Sequence, residues 1–215
     1  MAAPGGQELD SAQARETMVR GQIEARGVRD PRVLAAMRFV PRHRFVPGRL
    51  HAEAHADHPL PIGAGQTISQ PYIVAAMAEA LELTGSERVL EVGSGSGYMA
   101  AVLSALCREV YAVELEPGLA ERAALTLDEL GCANVRTRCG DGSLGWPEHA
   151  PFGAILLSCA AARIPPALWE QLAEGGRIIL PMGPPGATQE LILARKTPGG
   201  SEVSRLMAVV FVPLR

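Results

Sequence analysis

The sequence predicts an α/β protein with a mostly parallel, seven-stranded sheet, an N-terminal helical elaboration and a C-terminal antiparallel hairpin. Two observations predict this class. From Arg88 onward, short apolar runs alternate with helical patterns, as in a right-handed parallel sheet. The segment between the last two runs, around residues 196–201, is too short for a crossover helix, so those strands should pair antiparallel.

Local patterns place the elements. Residues 10–25 have the apolar spacing of a helix, and Asp30 followed by proline predicts an N-cap and a second helix over 31–37. Residues 41–65, rich in Pro, Gly and His, predict a surface loop, and a helix follows over 72–83. Helices are expected between the first five strands. The strands are expected at 88–92, 110–114, 135–139, 154–158, 176–181, 190–195 and 206–212.

Size and composition indicate one structural domain, in which an N-terminal helical and loop region (1–83) packs on an α/β core (84–215). The net charge of −3 gives no sign of a nucleic-acid surface, and no apolar run approaches a membrane span. The N-terminus lacks the order of a signal peptide, and four irregularly spaced cysteines suggest neither disulfides nor a metal site. We therefore expect a cytoplasmic monomer without nucleic-acid, membrane or metal partners.

The most informative segment is VLEVGSGSGY, at residues 89–98. An apolar strand runs into alternate glycines, and a backbone without Cβ atoms can press against a ligand. A dinucleotide loop would have its third glycine at Tyr98, so this spacing instead resembles the nucleotide loop of S-adenosylmethionine-dependent methyltransferases, with other nucleotide folds still open. The residues expected to contact the cofactor here are Glu91, Gly93, Ser94, Gly95 and Gly97.

Acidic residues follow the next two strands. Glu114 ends the second strand about twenty residues after the glycine loop, where a carboxylate can accept both ribose hydroxyls, although a helix-capping role is the alternative. In methyltransferases of this architecture, an acid after the third strand binds the adenine amino group and a neighbouring N–H meets a ring nitrogen. Asp141 and Gly142 occupy those places, although Asp-Gly is also a common turn. Leu115 completes the expected cofactor set.

The segment LPIGAGQTISQPYIVA, at residues 60–75, combines hydroxyls and amides just before a helix that starts at proline. A polar loop at a helix N-terminus favours a bound anion. Ser69 or Gln70 could equally serve only to cap that helix. From the residues alone, both interpretations remain open.

From about Met18 to Leu214 the chain resembles the protein-L-isoaspartate (D-aspartate) O-methyltransferase family. The shared segments include RGVRDPRVLAAM, FVPRHRFVP, PLPIGAGQTISQPYIVAAM, VLEVGSGSGYMAAVL, the GDG turn and AAARIPPALWEQLAEGGRIILPMG, and QTISQP is the most specific. The resemblance implies a Rossmann-like class I S-adenosylmethionine-dependent methyltransferase fold. It also implies S-adenosyl-L-methionine as cofactor, S-adenosyl-L-homocysteine as product, and isoaspartyl or D-aspartyl carboxylates of damaged proteins and peptides as substrates.

The resemblance assigns roles by position. The serine of the TIS triplet, Ser69, is implied to be catalytic, and the C-terminal strand around Val212 is implied to hold the substrate backbone in an extended pose. Carboxylates are ionised at pH 7, so the nucleophile needs no general base, and Ser69 would orient it by a hydrogen bond. The resemblance implies that Thr67, Ile68 and Gln70 also bind the substrate. We call residues 67–70 the substrate segment.

Four positions depart from the family pattern. Gly153 stands where Asp is usual, Ser158 and Cys159 replace a Thr-Ala pair, and His55 replaces an aromatic residue. The first two departures are expected at the sheet end that faces the ligand. Because of these departures, an alternative function is a methyltransferase of this fold that acts on a small-molecule carboxylate or on a modified peptide. A cofactor-binding module without turnover and a dinucleotide oxidoreductase are further alternatives, disfavoured by the intact substrate segment and the missing third glycine.

Overall fold

The computed structural model describes residues 4–184 and 186–215. Helix α1 (Pro4–Met18) begins before the predicted start at residue 10 and continues into a π-helical turn, Val19–Ile23. Helix α2 (Pro31–Phe39) confirms the second predicted helix. Its N-cap is Asp30, whose carboxylate accepts a 2.8 Å hydrogen bond from the Arg32 N–H.

The region predicted as loop, 41–65, is only partly loop. After two 3₁₀ turns, Arg42–Phe45 and Gly48–Glu53, strand β1 (Leu60–Gly63) pairs antiparallel with β2 (Gln66–Ile68). Both residues of the connecting turn have positive φ, which is the geometry of a tight two-residue hairpin. The loop prediction was therefore wrong for this strand, because a four-residue strand has little periodicity and the surrounding Pro and Gly conceal it.

The main sheet has seven strands in the order β5-β4-β3-β6-β7-β8-β9. The first five along the chain are parallel, and β7, β8 and β9 pair antiparallel, which confirms the predicted fold class. From β3 the chain first adds strands on one side, β4 and then β5, and afterwards continues on the other side with β6. In open α/β sheets, ligands bind at the carboxyl ends of the two strands that flank such a switch point. The strands are β3 (Arg88–Val92), β4 (Glu109–Glu114), β5 (Val135–Cys139), β6 (Phe152–Leu157), β7 (Leu172–Met182), β8 (Gln189–Thr197) and β9 (Gly200–Val209).

Helices α3 (Pro71–Ala80), α4 (Tyr98–Ser104), α5 (Pro117–Glu129) and α6 (Pro166–Gln171) pack around the sheet. The helix predicted between β5 and β6 is wrong. Two 3₁₀ turns, Gly142–Leu144 and Pro147–His149, stand in its place, because this stretch is interrupted by glycine and proline, the poorest helix formers.

The last strand was also misplaced by the sequence pattern. Strand β9 starts at Gly200, which pairs with Thr197 across a tight turn, and it ends at Val209. Val212 therefore lies beyond the strand instead of within it. The apolar residues near the C-terminus suggested a strand there, whereas the paired part of β9 is exposed over most of its length.

Both faces of the sheet carry an apolar core. On one face a continuous cluster joins the N-terminal helices to the sheet, running from Met18 and Met37 through Leu103 to Val89. Leu90, the next residue along β3, points into the cluster on the opposite face, which includes Phe152. Over residues 4–184 and 186–215, no helix reaches the length and hydrophobicity of a membrane span.

Candidate active site

The glycine loop lies at the carboxyl end of β3, between neighbouring strands. The N–H groups of Gly93 and Ser94 both donate to the Val113 carbonyl of β4, at 2.8 and 3.2 Å. Gly97, at the start of α4, has a φ of 86°, and a Cβ there would come within 3.2 Å of α5 side chains. This loop conformation thus needs glycine for both backbone geometry and space.

Glu114 joins the end of β4 to the glycine loop. Its buried carboxylate accepts hydrogen bonds from the N–H groups of Gly95, at 2.7 Å, and Glu116, at 2.9 Å. Two carboxylate oxygens have about four acceptor positions, so capacity remains for a diol. Glu116 itself turns away to pair with Arg215, while Leu115 is exposed at the same edge.

Asp141 and Gly142 lie beside Glu114, because the Gly140 N–H donates to the Glu114 carbonyl at 2.9 Å. The Asp141 carboxylate accepts the Ser143 N–H at 2.8 Å, as in an ordinary capped turn. Gly142 is buried over β3, where an added Cβ would lie only 2.5 Å from Val92 Cγ1. The loops after β3, β4 and β5 therefore come together, as the sequence predicts.

Glu91, in β3, is fully buried. One carboxylate oxygen accepts a 3.3 Å hydrogen bond from the Ser158 hydroxyl, and the other has no hydrogen-bond partner among the described residues. Burial, with a smaller contribution from nearby Glu114, raises the pKa of Glu91 to about 8, and the Ser158 hydrogen bond opposes this shift. A buried carboxyl oxygen without a partner is available to a polar group of a ligand.

Two cavities meet at Ser69. The outer cleft, about 370 Å³, lies between residues 67–70 and residues 208–212. The inner cavity, about 30 Å³, lies against Glu91 and the glycine loop. Thr67, Ser69 and Ser158 line both, so the substrate segment forms the boundary between the outer cleft and the glycine loop, and Ile68 lines the inner cavity.

A buried arginine holds this segment. Arg42 donates from Nε to the Ala54 carbonyl and from Nη2 to the Ser69 carbonyl, both at 2.8 Å. Its guanidinium carbon lies 4.8 Å from the centre of the Tyr98 ring, in the first turn of α4. Burial lowers the pKa of Arg42. Sequence reasoning missed this residue, because only the tertiary fold brings it to residue 69.

The structure places the remaining predicted substrate residues in the cleft with other contacts. The Gln70 side-chain amide donates to the Asp57 carboxylate at 2.8 Å, and Asp57 also pairs with Arg26. Val212 lines the cleft beyond β9, and its carbonyl accepts the Ala160 N–H at 2.8 Å. The expected strand around Val212 is therefore wrong, because β9 ends at Val209.

The departures from the family pattern differ in position. Gly153 lies at the beginning of β6, where an added Cβ would be 3.0 Å from the Glu87 side chain, so its predicted place at the ligand end is wrong. Ser158 and Cys159 lie at that end, as predicted. The sequence identifies Ser158 only as a departure from the family pattern, and not as a site residue. His55 packs near His43. Burial lowers the pKa of His55 to about 4, and the nearby His43 contributes to the same shift.

Metal-binding geometry is not found among the described side chains, since no three His, Cys, Asp or Glu residues there form a group that could hold an ion. The arrangement instead combines backbone donors, hydroxyls and buried carboxylates around a glycine loop. It is suited to binding a nucleoside-like cofactor beside a second, peptide-sized cleft.

Comparison with known proteins identifies the family. The Protein-L-isoaspartate(D-aspartate) O-methyltransferase (PCMT) family matches residues 13–215. Protein-L-isoaspartate O-methyltransferase 2 of Anaeromyxobacter sp. (strain Fw109-5) is 57% identical over 99% of this chain and 87% of its own. The protein-L-isoaspartate O-methyltransferase of Opitutus terrae (strain DSM 11246 / JCM 15787 / PB90-1) is 55% identical over 93% of this chain and 85% of its own.

Solved structures agree with this result. One protein-L-isoaspartate O-methyltransferase has a TM-score of 0.83 and 29% identity, covering 93% of this chain, which spans 65% of that one. A putative protein-L-isoaspartate O-methyltransferase from Plasmodium falciparum, solved in complex with S-adenosyl-L-homocysteine, has a TM-score of 0.79 and 25% identity, with 94% and 98% coverage. The sequence, the sheet and the site geometry together show that this chain belongs to the protein-L-isoaspartate(D-aspartate) O-methyltransferase family.

Proposed function

We propose that this protein transfers the methyl group of S-adenosyl-L-methionine to the free carboxylate of L-isoaspartyl residues, and of D-aspartyl residues, in damaged proteins and peptides. The observation that carries the proposal is the position of Ser69, at the boundary between a peptide-sized cleft and the glycine loop. Family membership supports the same reaction, since its relatives are named for it.

The residues present fit S-adenosyl-L-methionine. The unpartnered Glu91 oxygen is available to a polar group of the ligand, and the Glu114 carboxylate retains acceptor capacity for ribose hydroxyls. We assign the adenine edge to Asp141 and Gly142, and Leu115 completes the proposed cofactor set. When bound, the cofactor supplies an activated methyl group on a positively charged sulfur.

Ser69 is the residue to which we assign the catalytic role. Its hydroxyl donates a hydrogen bond that orients the substrate carboxylate toward the glycine loop. A carboxyl group with a pKa of about 4 is already ionised at pH 7, so no side chain has to remove a proton. Catalysis is then mainly positioning, which is worth up to roughly 7–11 kcal/mol in favourable cases. Thr67 and Ser158 add hydroxyls to the same boundary.

The product ester explains the role in repair. Methylation converts the unreactive carboxylate into an ester whose methoxide group can leave, so the following backbone nitrogen can attack the ester carbonyl, lose its proton and displace methanol. The resulting succinimide opens partly to normal aspartate. This second stage needs no group of the protein.

The proposal includes a cellular setting. We further propose that it acts as a cytoplasmic monomer without membrane partners, and the net charge of −3 gives no sign of a nucleic-acid surface. The partners are isoaspartyl proteins and peptides.

The test is methyl transfer from labelled S-adenosyl-L-methionine to one peptide synthesised twice, with isoaspartate or normal aspartate at a single position. We expect a base-labile methyl ester on the isoaspartyl form alone. Transfer to neither peptide, with the cofactor still bound, would contradict the substrate assignment and favour a small-molecule or modified-peptide carboxylate.

A further inference from the structure

A third cavity, an open depression of about 770 Å³, lies between α3 and the β8–β9 hairpin, and the reaction described above does not use it. Tyr72, Ala76 and Ala80 contribute from α3 at a spacing of four residues, which places them along one helix face. The two alanines leave a furrow along that face. Leu193, from β8, and Leu206, from β9, form the opposite wall. We refer to this feature as the α3 groove.

A β-bulge shapes the strand wall of the α3 groove. Leu191 pairs with Met207, but the next residue, Ile192, pairs with Arg205, so Leu206 is the extra residue of β9. Bulges redirect side chains and often accompany binding sites. Leu206 is 39% exposed, which is high for a leucine, and Met207 beside it also lines the groove.

The α3 groove continues the outer cleft. Tyr72 lines the groove and the next residue, Ile73, lines the cleft; on β9, Met207 and Ala208 divide in the same way. Their rims are also connected, because Asp57 pairs with Arg26 of the groove and accepts from Gln70 of the cleft.

The charged groups around the α3 groove are already engaged. Asp30 pairs with Arg32, and Glu82 pairs with two arginines on β7 and β8. Glu79 accepts the N–H groups of Arg29 and Asp30. Because these groups are already ion-paired or hydrogen-bonded, the groove is suited to a neutral, extended chain that makes apolar contacts and not to a small ion.

Resting on the proposed function, we infer that the α3 groove binds the stretch of substrate polypeptide that flanks the isoaspartyl residue. An isoaspartyl residue within a protein has chain on both sides, and one side has to leave the cleft. The stripe from Tyr72 to Ala80 is about 12 Å long, at about 1.5 Å per helical residue. An extended peptide covers that length with roughly four residues.

The experiment compares peptides of different length. A short isoaspartyl peptide is extended by four residues at its N-terminal or its C-terminal end, and KM is measured for each. For the unaltered protein, we expect one of the extensions to lower KM about fivefold, and a further extension at that end to add little.

Two variants on one strand assign the effect to the groove. Leu206→Glu places a charge in the groove wall and should abolish the gain from extension, with turnover of the short peptide unchanged. Val203→Glu is the matched control, since Val203 is 56% exposed on β9 and does not line the groove, and it should retain the gain.

The outcomes separate two failures. Equal KM for short and extended peptides, or equal behaviour of the two variants, would overturn the α3 groove inference and leave the proposed function intact. Failure to methylate even the short peptide would instead overturn the proposed function, and this inference with it.

Discussion

The Nη2 atom of Arg42 donates to the backbone carbonyl of Ser69 across 2.8 Å, which fixes the proposed catalytic serine from inside the protein. The same guanidinium lies over Tyr98, at the start of the helix that follows the glycine loop. One fully buried side chain therefore connects the substrate segment with the cofactor segment.

Arg42→Met should loosen the substrate segment more than the cofactor site. The change leaves the Ala54 and Ser69 carbonyls without their donors, and we expect a loss of roughly 2–4 kcal/mol in the free energy of unfolding. Peptide KM should rise more than the cofactor Kd. Urea unfolding, steady-state kinetics and calorimetry measure the three quantities. The control, Arg44→Met, removes an exposed ion pair with Glu129 and should cost less than about 1 kcal/mol.

Ser69→Ala should keep cofactor binding and lower turnover at least about tenfold, since it removes a hydrogen bond that orients the reacting carboxylate. Labelled methyl transfer gives the rate, and calorimetry with S-adenosyl-L-homocysteine gives the affinity. Ser201→Ala, on the exposed part of β9, serves as the control. Unchanged turnover in the first variant would remove Ser69 from the catalytic role.

Glu114→Gln should weaken cofactor binding about tenfold or more. Both carboxylate oxygens accept backbone N–H groups, and an amide has to place its own donor against one of them, which disturbs the Gly95 backbone. Titration with S-adenosyl-L-homocysteine measures the effect. Glu116→Gln, which affects only the pair with Arg215, should bind normally; equal losses in both variants would contradict the assignment.

Glu91 should make stability depend on pH. Its pKa is raised from 4.5 to about 8 in the folded protein, so between these values the folded state holds a proton that the unfolded state releases. The free energy of unfolding therefore decreases as pH rises through this window, by on the order of 1 kcal/mol per pH unit.

Glu91→Gln cannot ionise and should remove that part of the slope. Urea unfolding from about pH 5 to pH 8 compares the variant with the unaltered protein. Glu202→Gln, on the exposed strand β9, is the control and should retain the slope. Parallel stability profiles for Glu91→Gln and the unaltered protein would show that the buried carboxyl does not titrate in this range.

The central strands of the parallel core, β3, β4 and β6, were predictable because they are almost fully buried and read as mostly apolar runs. Two strands, Arg88–Val92 and Val135–Cys139, have the predicted bounds. The errors fall where local chemistry conflicts with the alternating pattern. The Gly- and Pro-rich stretch before β6 forms 3₁₀ turns, and β9 takes its register from a tight turn that apolar periodicity does not reveal.

The candidate site was predictable as far as its motifs extend. The glycine loop, Glu114 and the segment around Ser69 are contiguous patterns, and the structure brings them together. Arg42 and Ser158 are different, because each acts through tertiary contacts with residues far away in the sequence. Nothing in their immediate neighbours indicates those contacts.

The fit of Gly142 against Val92 has a consequence for how this protein can vary over evolution. A Cβ at residue 142 would lie 2.5 Å from Val92 Cγ1, so any larger residue there requires a smaller one at 92. Substitution at position 142 is therefore coupled to substitution at position 92. Among diverging relatives, we expect exchanges at these sites to occur as a pair, and a designed library should vary them jointly.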